Sequence, residues 1–138
     1  MKRLKLKTVP MLLCISFIIG MPCLGNASAT ATASPMPYTS VQQALDDLKQ
    51  QAQQHPNETQ HQIMQDGWQV IYQHLPQTKI VWSFSAPKDA AYPAVVRREI
   101  TDAGQFSMSV LCQASKSACE QLVATFNQMN QALLSNNA

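Results

Sequence analysis

The first regular pattern along the chain is an apolar stripe with the spacing of a helix. Ser40 opens an S-x-x-Q sequence, the form of a capping box at the start of a helix. His55-Pro56 ends the pattern, because a proline disfavours helical backbone at the residue before it. The sequence therefore predicts a helix over Val41–Gln54 that packs on one side only. The stripe consists of Val41, Ala44, Leu45, Leu48 and Ala52.

Three later stretches alternate apolar and polar residues, as strands with one buried face do. In the first, Ile80, Trp82 and Phe84 share a face, so we expect their side chains in the core. The second runs over residues 94–101 and the third over residues 106–112. Asp102-Ala103-Gly104 turns the chain between them, because Gly104 can adopt the left-handed backbone that such a hairpin needs.

Residues 57–75 give two conflicting signals. Several apolar residues fit a helical face, whereas the stretch from Trp68 onward is rich in residues that favour strands. Asp66-Gly67 is a turn signal between the two parts. We favour a short helical or irregular piece up to Gln65, followed by a strand over residues 68–73.

A second capping box, S-x-x-E at residues 117–120, predicts a helix at the end of the chain. Cys112 closes the last predicted strand and Cys119 begins this helix, so in an oxidising compartment the pair predicts one disulfide. Six intervening residues do not match the C-x-x-C spacing of redox enzymes, and no histidine lies nearby to complete a metal site. The stripe of this helix consists of Cys119, Leu122, Val123, Phe126, Met129 and Leu133.

These elements predict an α+β fold. It is a small antiparallel sheet of about four strands, flanked by an N-terminal and a C-terminal helix in the order α-β-β-β-β-α. We expect both helices over one face of the sheet. The sequence divides into a signal peptide at 1–29, a flexible leader at 30–39, a single domain at 40–134 and a frayed tail at 135–138.

The first 29 residues have the parts of a secretory signal peptide. Residues 1–7 are basic, residues 11–21 are apolar, and three overlapping A-x-A cleavage options follow between Ala27 and Ala33. A membrane anchor needs roughly 18 successive apolar residues, so we expect no transmembrane anchor after cleavage. The short, lysine-rich start is typical of bacteria, which predicts the periplasm, with secretion into the medium as the alternative.

The charge of the chain changes once this segment is set aside. The 138 residues carry 10 Lys+Arg and 8 Asp+Glu, a formal net charge of +2. Without residues 1–29, six basic residues stand against eight acidic ones, a net charge of −2. A mildly acidic body with scattered bases lacks the basic surface of a nucleic-acid binder, so that class of partner is excluded.

Motifs for catalysis and metal binding are missing from the sequence. It contains no G-x-S-x-G motif for an activated nucleophile. His55, His61 and His74 have no carboxylate pattern around them, which favours surface histidines over metal ligands. The sequence therefore predicts no catalytic residue, no metal site and no cofactor, and an enzyme is poorly supported.

Arg98 is the most informative charged residue. By alternation it shares a strand face with Val96 and Ile100, where a buried charge needs a partner. It is either a cation held in a groove to receive an anionic ligand or a partner's acid, or a strand-end residue that reaches solvent or pairs with Asp102 or the last turn of a helix. The second interpretation is favoured. Arg97, on the other face, is expected to be a solvated cross-strand charge.

The loop over residues 86–93 is the second candidate site. Lys88, Asp89 and Tyr92 offer a cation, an anion and an aromatic ring on a segment bounded by prolines, which is typical of a recognition surface. The alternative is a hairpin connection that the prolines stiffen. The two interpretations have equal support.

Several of these residues carry a resemblance to a known group of proteins. The sequence WSFSAP at 82–87, AYPAVVRR at 91–98, and Cys112 and Cys119 before an amphipathic helix resemble a family of small uncharacterised exported proteins of Gram-negative bacteria. The resemblance covers roughly residues 67–130. It implies the periplasm and a coherent fold, and it implies no activity, because none is established for the family.

The leading hypothesis is a soluble, non-catalytic periplasmic protein that binds another periplasmic protein or envelope component through an exposed sheet face and the 86–93 loop. One alternative is a chaperone-like factor with an apolar groove beside Met64, Met108 and Met129. The other is a small hydrolase or ligand-binding enzyme whose site assembles from distant residues. An exposed apolar groove would favour the chaperone-like factor, whereas a deep pocket holding Arg98 with a carboxylate and a histidine would favour the enzyme.

Overall fold

A five-stranded antiparallel sheet forms the centre of the computed structural model, which describes residues 35–136. The strands lie side by side in chain order, so each pairs with the next through a hairpin. The signal peptide predicted for residues 1–29 lies outside the described residues. The elements are α1 (Val41–Gln54), β1 (Thr59–Ile63), β2 (Gln69–Leu75), β3 (Thr78–Phe84), β4 (Ala94–Thr101), β5 (Phe106–Cys112) and α2 (Lys116–Asn136).

The first helix has the predicted bounds and the predicted cap. The Ser40 hydroxyl accepts a hydrogen bond from the backbone N–H of Gln43 at 3.1 Å, which satisfies one of the free donors at the helix start. Val41, Ala44 and Leu48 are buried against the sheet. The alternation in β3 is confirmed as well. Its buried residues on the side of α1 are Ile80, Trp82 and Phe84, which are 6%, 3% and 2% exposed.

The prediction for residues 57–65 is wrong, because β1 is a strand rather than a helical or irregular piece. Its sequence, TQHQI, holds one aliphatic residue, so an edge strand of this composition shows no alternating pattern. It pairs with β2 across the predicted Asp66-Gly67 turn, where Gly67 has a φ of 90° and the Asp66 carboxylate accepts from the Trp68 backbone N–H. The sheet therefore has five strands and not four.

The two helices cover opposite faces of the sheet, so the expectation of both on one face is wrong. On the α1 face, Val95 packs with Ile71 and with residues of α1. On the α2 face, its neighbours Ala94 and Val96 pack with residues of α2. Successive strand residues point to opposite faces, and a central strand buried on both sides reads as a continuous apolar run. The run Ala94-Val95-Val96 is such a sequence.

The second helix begins two residues earlier than predicted, because its N-cap is Ser115 and not Ser117. The Ser115 hydroxyl, rather than that of Ser117, accepts from the backbone N–H of Ala118 at 3.3 Å. The predicted disulfide between Cys112 and Cys119 is confirmed, and it joins the end of β5 to the start of α2. Because α2 continues through Asn136, regular structure extends beyond the predicted domain end at residue 134.

Packing against the core also begins before Ser40. Met36 and Tyr38 pack on the α1 face, and the Tyr38 ring meets the Trp82 ring edge-on with 5.6 Å between centroids. The Tyr38 hydroxyl donates to the Asp47 carboxylate at 3.4 Å. Burial and the nearby negative charge raise the pKa of Tyr38. This part of the expected flexible leader therefore belongs to the folded body.

The disulfide is expected to contribute measurably to stability. In the chain-entropy model, closing a loop this short stabilises the folded state by roughly 2.5 kcal/mol. The double variant C112A/C119A should therefore lose about that much of its free energy of unfolding, measured by urea denaturation monitored by circular dichroism. Reduced parent protein should show the same loss. A double variant as stable as the oxidised parent would contradict this role.

Candidate functional site

A groove lies between α2 and the sheet. The backbone of α2 stays farther from the strands than that of α1, because large side chains stand between them. The Trp68 and Phe126 rings meet there, with 6.0 Å between centroids. The groove has a volume of about 560 Å³, within the range of small-molecule sites. Strands β2, β3 and β4 form its floor, and α2 forms one wall.

Most of the groove surface is apolar. Two methionines at its mouth, Met64 and Met129, are 45% and 47% exposed, and they face solvent on one side and the groove on the other. Contiguous exposed apolar surface marks interaction sites. The apolar walls consist of Trp68, Val70, Ala91, Leu122, Phe126 and Met129.

Arg98 provides the positive charge of the groove. It projects from β4 on the α2 face, and its guanidinium carbon lies 5.3 Å from the centroid of the Phe126 ring. Its Nε is buried and has no hydrogen-bond partner. Within residues 35–136 no carboxylate, Asp102 included, forms an ion pair with it. Burial lowers the pKa of Arg98, an effect that nearby Tyr72 opposes.

The negative charges of the groove lie at its other end. Asp66 stands in the turn before β2 and Asp89 in the loop before β4, and both turns lie at the same end of the sheet. Ala94 marks this end of β4, and Arg98 is four residues further along the strand, roughly 13 Å at the rise of a β-strand. The groove is therefore positive at one end, negative at the other and apolar between them.

The structure separates the four binding residues that the sequence singled out. Arg98 and Asp89 both line the groove, whereas Lys88 and Tyr92 are exposed and lie outside it. The Asp89 carboxylate accepts from the Ala91 backbone N–H at 2.8 Å, which holds the loop against the groove. The 86–93 loop therefore closes the acidic end of the groove.

The neighbouring arginine has a different environment. Arg97 lies on the α1 face, where it forms an ion pair of 2.7 Å with Glu99 on the same strand. Its guanidinium carbon lies 5.5 Å from the centroid of the Trp82 ring. Its side chain is only 11% exposed, so the expectation of a solvated cross-strand charge is wrong. Of these two adjacent arginines, only the one in the groove lacks an acidic partner in the described part of the chain.

Sequence reasoning missed most of the groove walls. Trp68 gave only a strand signal, yet its ring packs with the residues beneath α2 and also faces the groove. Phe126 was predicted to lie on the helix stripe, but nothing in that pattern shows that it would contact a charged group. Asp66 gave only a turn signal. These three residues meet at one groove because of the sheet topology, and a local sequence pattern does not show that topology.

The groove contains no histidine among the residues described. Across residues 35–136, no group of three or more His, Cys, Asp or Glu side chains is placed to hold a metal ion. Comparison with protein-family models, with curated proteins and with solved structures finds no match to this chain. The resemblance to small exported proteins therefore stays a prediction, and the functional argument depends on the groove itself.

Replacing Arg98 should stabilise the fold. Its charge is partly desolvated without an ion pair, so the R98M variant should gain about 1 kcal/mol in free energy of unfolding, as apolar replacements of buried charges often do. R97M is the matched control, because it leaves the Glu99 carboxylate without its partner and should lose about 1–3 kcal/mol. Urea denaturation measures both, and a destabilised R98M would show that this arginine has a structural role.

Proposed function

We propose that this chain is an exported, non-catalytic binding module of the bacterial cell envelope that holds its partner molecule in the groove under α2. The observation that carries the proposal is a half-buried arginine, Arg98, in an apolar groove of about 560 Å³; its Nε is buried without a hydrogen-bond partner, and no acidic side chain among residues 35–136 pairs with it. A buried charge without a counter-charge is costly. An anionic group of a ligand would supply the missing interaction.

The position of the groove supports this proposal over binding through an open sheet face. Both faces of the sheet carry a helix, so the groove mouth and the 86–93 loop offer a recognition surface that an open sheet face does not. Met64 and Met129 at the mouth adapt in shape to an apolar ligand, because the methionine side chain is unbranched and flexible.

A chaperone-like factor is the second candidate, and the same methionines favour it. Met108, which was expected to join them, packs with the residues beneath α2 instead, and its sulfur accepts a hydrogen bond from Asn130. A hydrolase has less support. The groove carboxylates of Asp66 and Asp89 lie at the end opposite Arg98, and each accepts a backbone N–H in its own loop.

Export is supported by the cysteines. A disulfide is compatible with an oxidising compartment, and the pair Cys112–Cys119 forms one here. Within residues 35–136, no helix combines the length and the apolar character needed to cross a bilayer. We place the protein in the periplasm, with secretion into the medium as the alternative.

Export can be tested by fractionating cells that express the chain with a C-terminal tag. We expect the tagged protein in the osmotic-shock fluid, shortened by the predicted signal peptide and without free thiols after denaturation. The culture medium is assayed alongside, because it distinguishes the two predicted addresses. Full-length protein with reduced cysteines in the cytosol would contradict the proposal.

Occupation of the groove can be tested by photo-crosslinking in intact cells. A benzophenone side chain placed at Gln121, which lines the groove, should form adducts. The same group at Gln131, an exposed α2 residue outside the groove, is the matched control. Adding R98M should reduce the Gln121 adduct and leave background labelling at Gln131 unchanged. Equal labelling at both positions, or none at Gln121, would count against a ligand in the groove.

A further inference from the structure

We infer that the ligand of the groove is a single-chain amphiphile with one carboxylate head group, of the fatty-acid class, rather than a peptide. This inference rests on the proposed function, since it names the chemistry of the molecule held under α2. It places the carboxylate at Arg98 and the chain along the Phe126 and Leu122 side of the groove.

The backbone of the protein argues against a peptide ligand. The groove floor consists of β2, β3 and β4, three central strands whose N–H and C=O groups pair with their neighbours in the sheet. The wall is α2, whose backbone bonds within the helix. No strand edge is open inside the groove, so an extended peptide would bury its own backbone groups without partners, which is costly. An acyl chain has no such groups.

The charges define the head group. Arg98 is the only cationic residue lining the groove in the described part of the chain, so it matches a single negative charge. A guanidinium presents two N–H donors to the two oxygens of a carboxylate. Asp66 and Asp89 at the far end would repel a second anionic group. The ligand is therefore charged at one end only.

The same carboxylates limit the length of the chain. The apolar stretch between Arg98 and the acidic end is roughly 13 Å long along the strands. Each methylene buried there should raise affinity about fourfold. Once the chain reaches Asp66 and Asp89, further methylenes would have to pass two charged groups or leave the groove. Affinity should then stop rising.

Titration calorimetry of the purified protein tests the inference with saturated fatty acids of increasing length, kept below micelle-forming concentrations. We expect affinity to rise from octanoate to decanoate and dodecanoate and then to level off. Dodecanol has the same chain without the charge and should bind about 10- to 100-fold more weakly than dodecanoate. R98M should lose a similar factor for dodecanoate and lose no affinity for dodecanol.

K49M is the matched control for R98M, because it removes one positive charge from α1, on the face of the sheet opposite the groove. It should bind dodecanoate as the parent does. Equal loss in both variants would show a general charge effect and overturn the inference, as would dodecanol binding as tightly as dodecanoate.

Chemical-shift mapping separates failure of this inference from failure of the proposed function. Dodecanoate should shift the amide signals of Trp68 and Phe126 and leave those of the α1 face in place. If only an apolar peptide with a free C-terminal carboxylate shifts them, the fatty-acid inference is wrong and the binding function stands. If neither compound shifts them, both are wrong.

Discussion

The groove depends on the contact between Trp68 and Phe126, which joins α2 to the end of the sheet where β2 begins. The two rings meet under α2 with 6.0 Å between centroids and hold the helix away from the strands. At the start of α2, the disulfide from Cys112 to Cys119 ties the helix to the end of β5, so the helix cannot shift along the sheet. The two rings keep α2 apart from the strands, and the disulfide fixes one end of the helix. Together they leave an open groove between α2 and the sheet. With small residues in place of the rings, α2 would settle on the sheet and close the space around Arg98, because protein interiors pack densely.

The two faces of the sheet differ in how their polar groups are held. On the α1 face, the indole N–H of Trp82 donates to Gln73 at 2.6 Å, and the Gln73 amide donates to Gln51 of α1 at 2.9 Å. Arg97 on that face has Glu99 as a partner. On the α2 face, the charge of Arg98 lies over the face of an aromatic ring, an interaction weaker than a charge-assisted hydrogen bond. The α1 face therefore holds polar side chains through hydrogen bonds and an ion pair, whereas Arg98 on the α2 face lies beside open space.

Local patterns in the sequence account for much of the fold. Capping by Ser40, alternation through Trp82 and the short interval between Cys112 and Cys119 each depend on residues close together in the chain, and all three predictions are confirmed. The same reasoning did not predict β1, because an edge strand of polar residues is stabilised by its pairing with β2 and not by an apolar face. The groove could not be predicted from local patterns either, for a different reason. Its depth depends on two rings from distant segments, and no local pattern encodes the distance between a helix and a sheet.

The single cation and the apolar walls also affect which ligands the groove binds. The binding-module and chaperone-like hypotheses differ in this selectivity. A chaperone-like surface gains affinity from any apolar chain, since methionines adapt to many shapes. In this groove, a neutral apolar chain would remove further water from Arg98 and would not replace the hydrogen bonds that this water makes. That desolvation opposes binding. A ligand with an acid group avoids the cost and adds an ion pair in surroundings of low polarity. The arginine thus acts against the broad specificity that the methionines alone would allow, so the geometry supports a binding module with a defined ligand over a general chaperone.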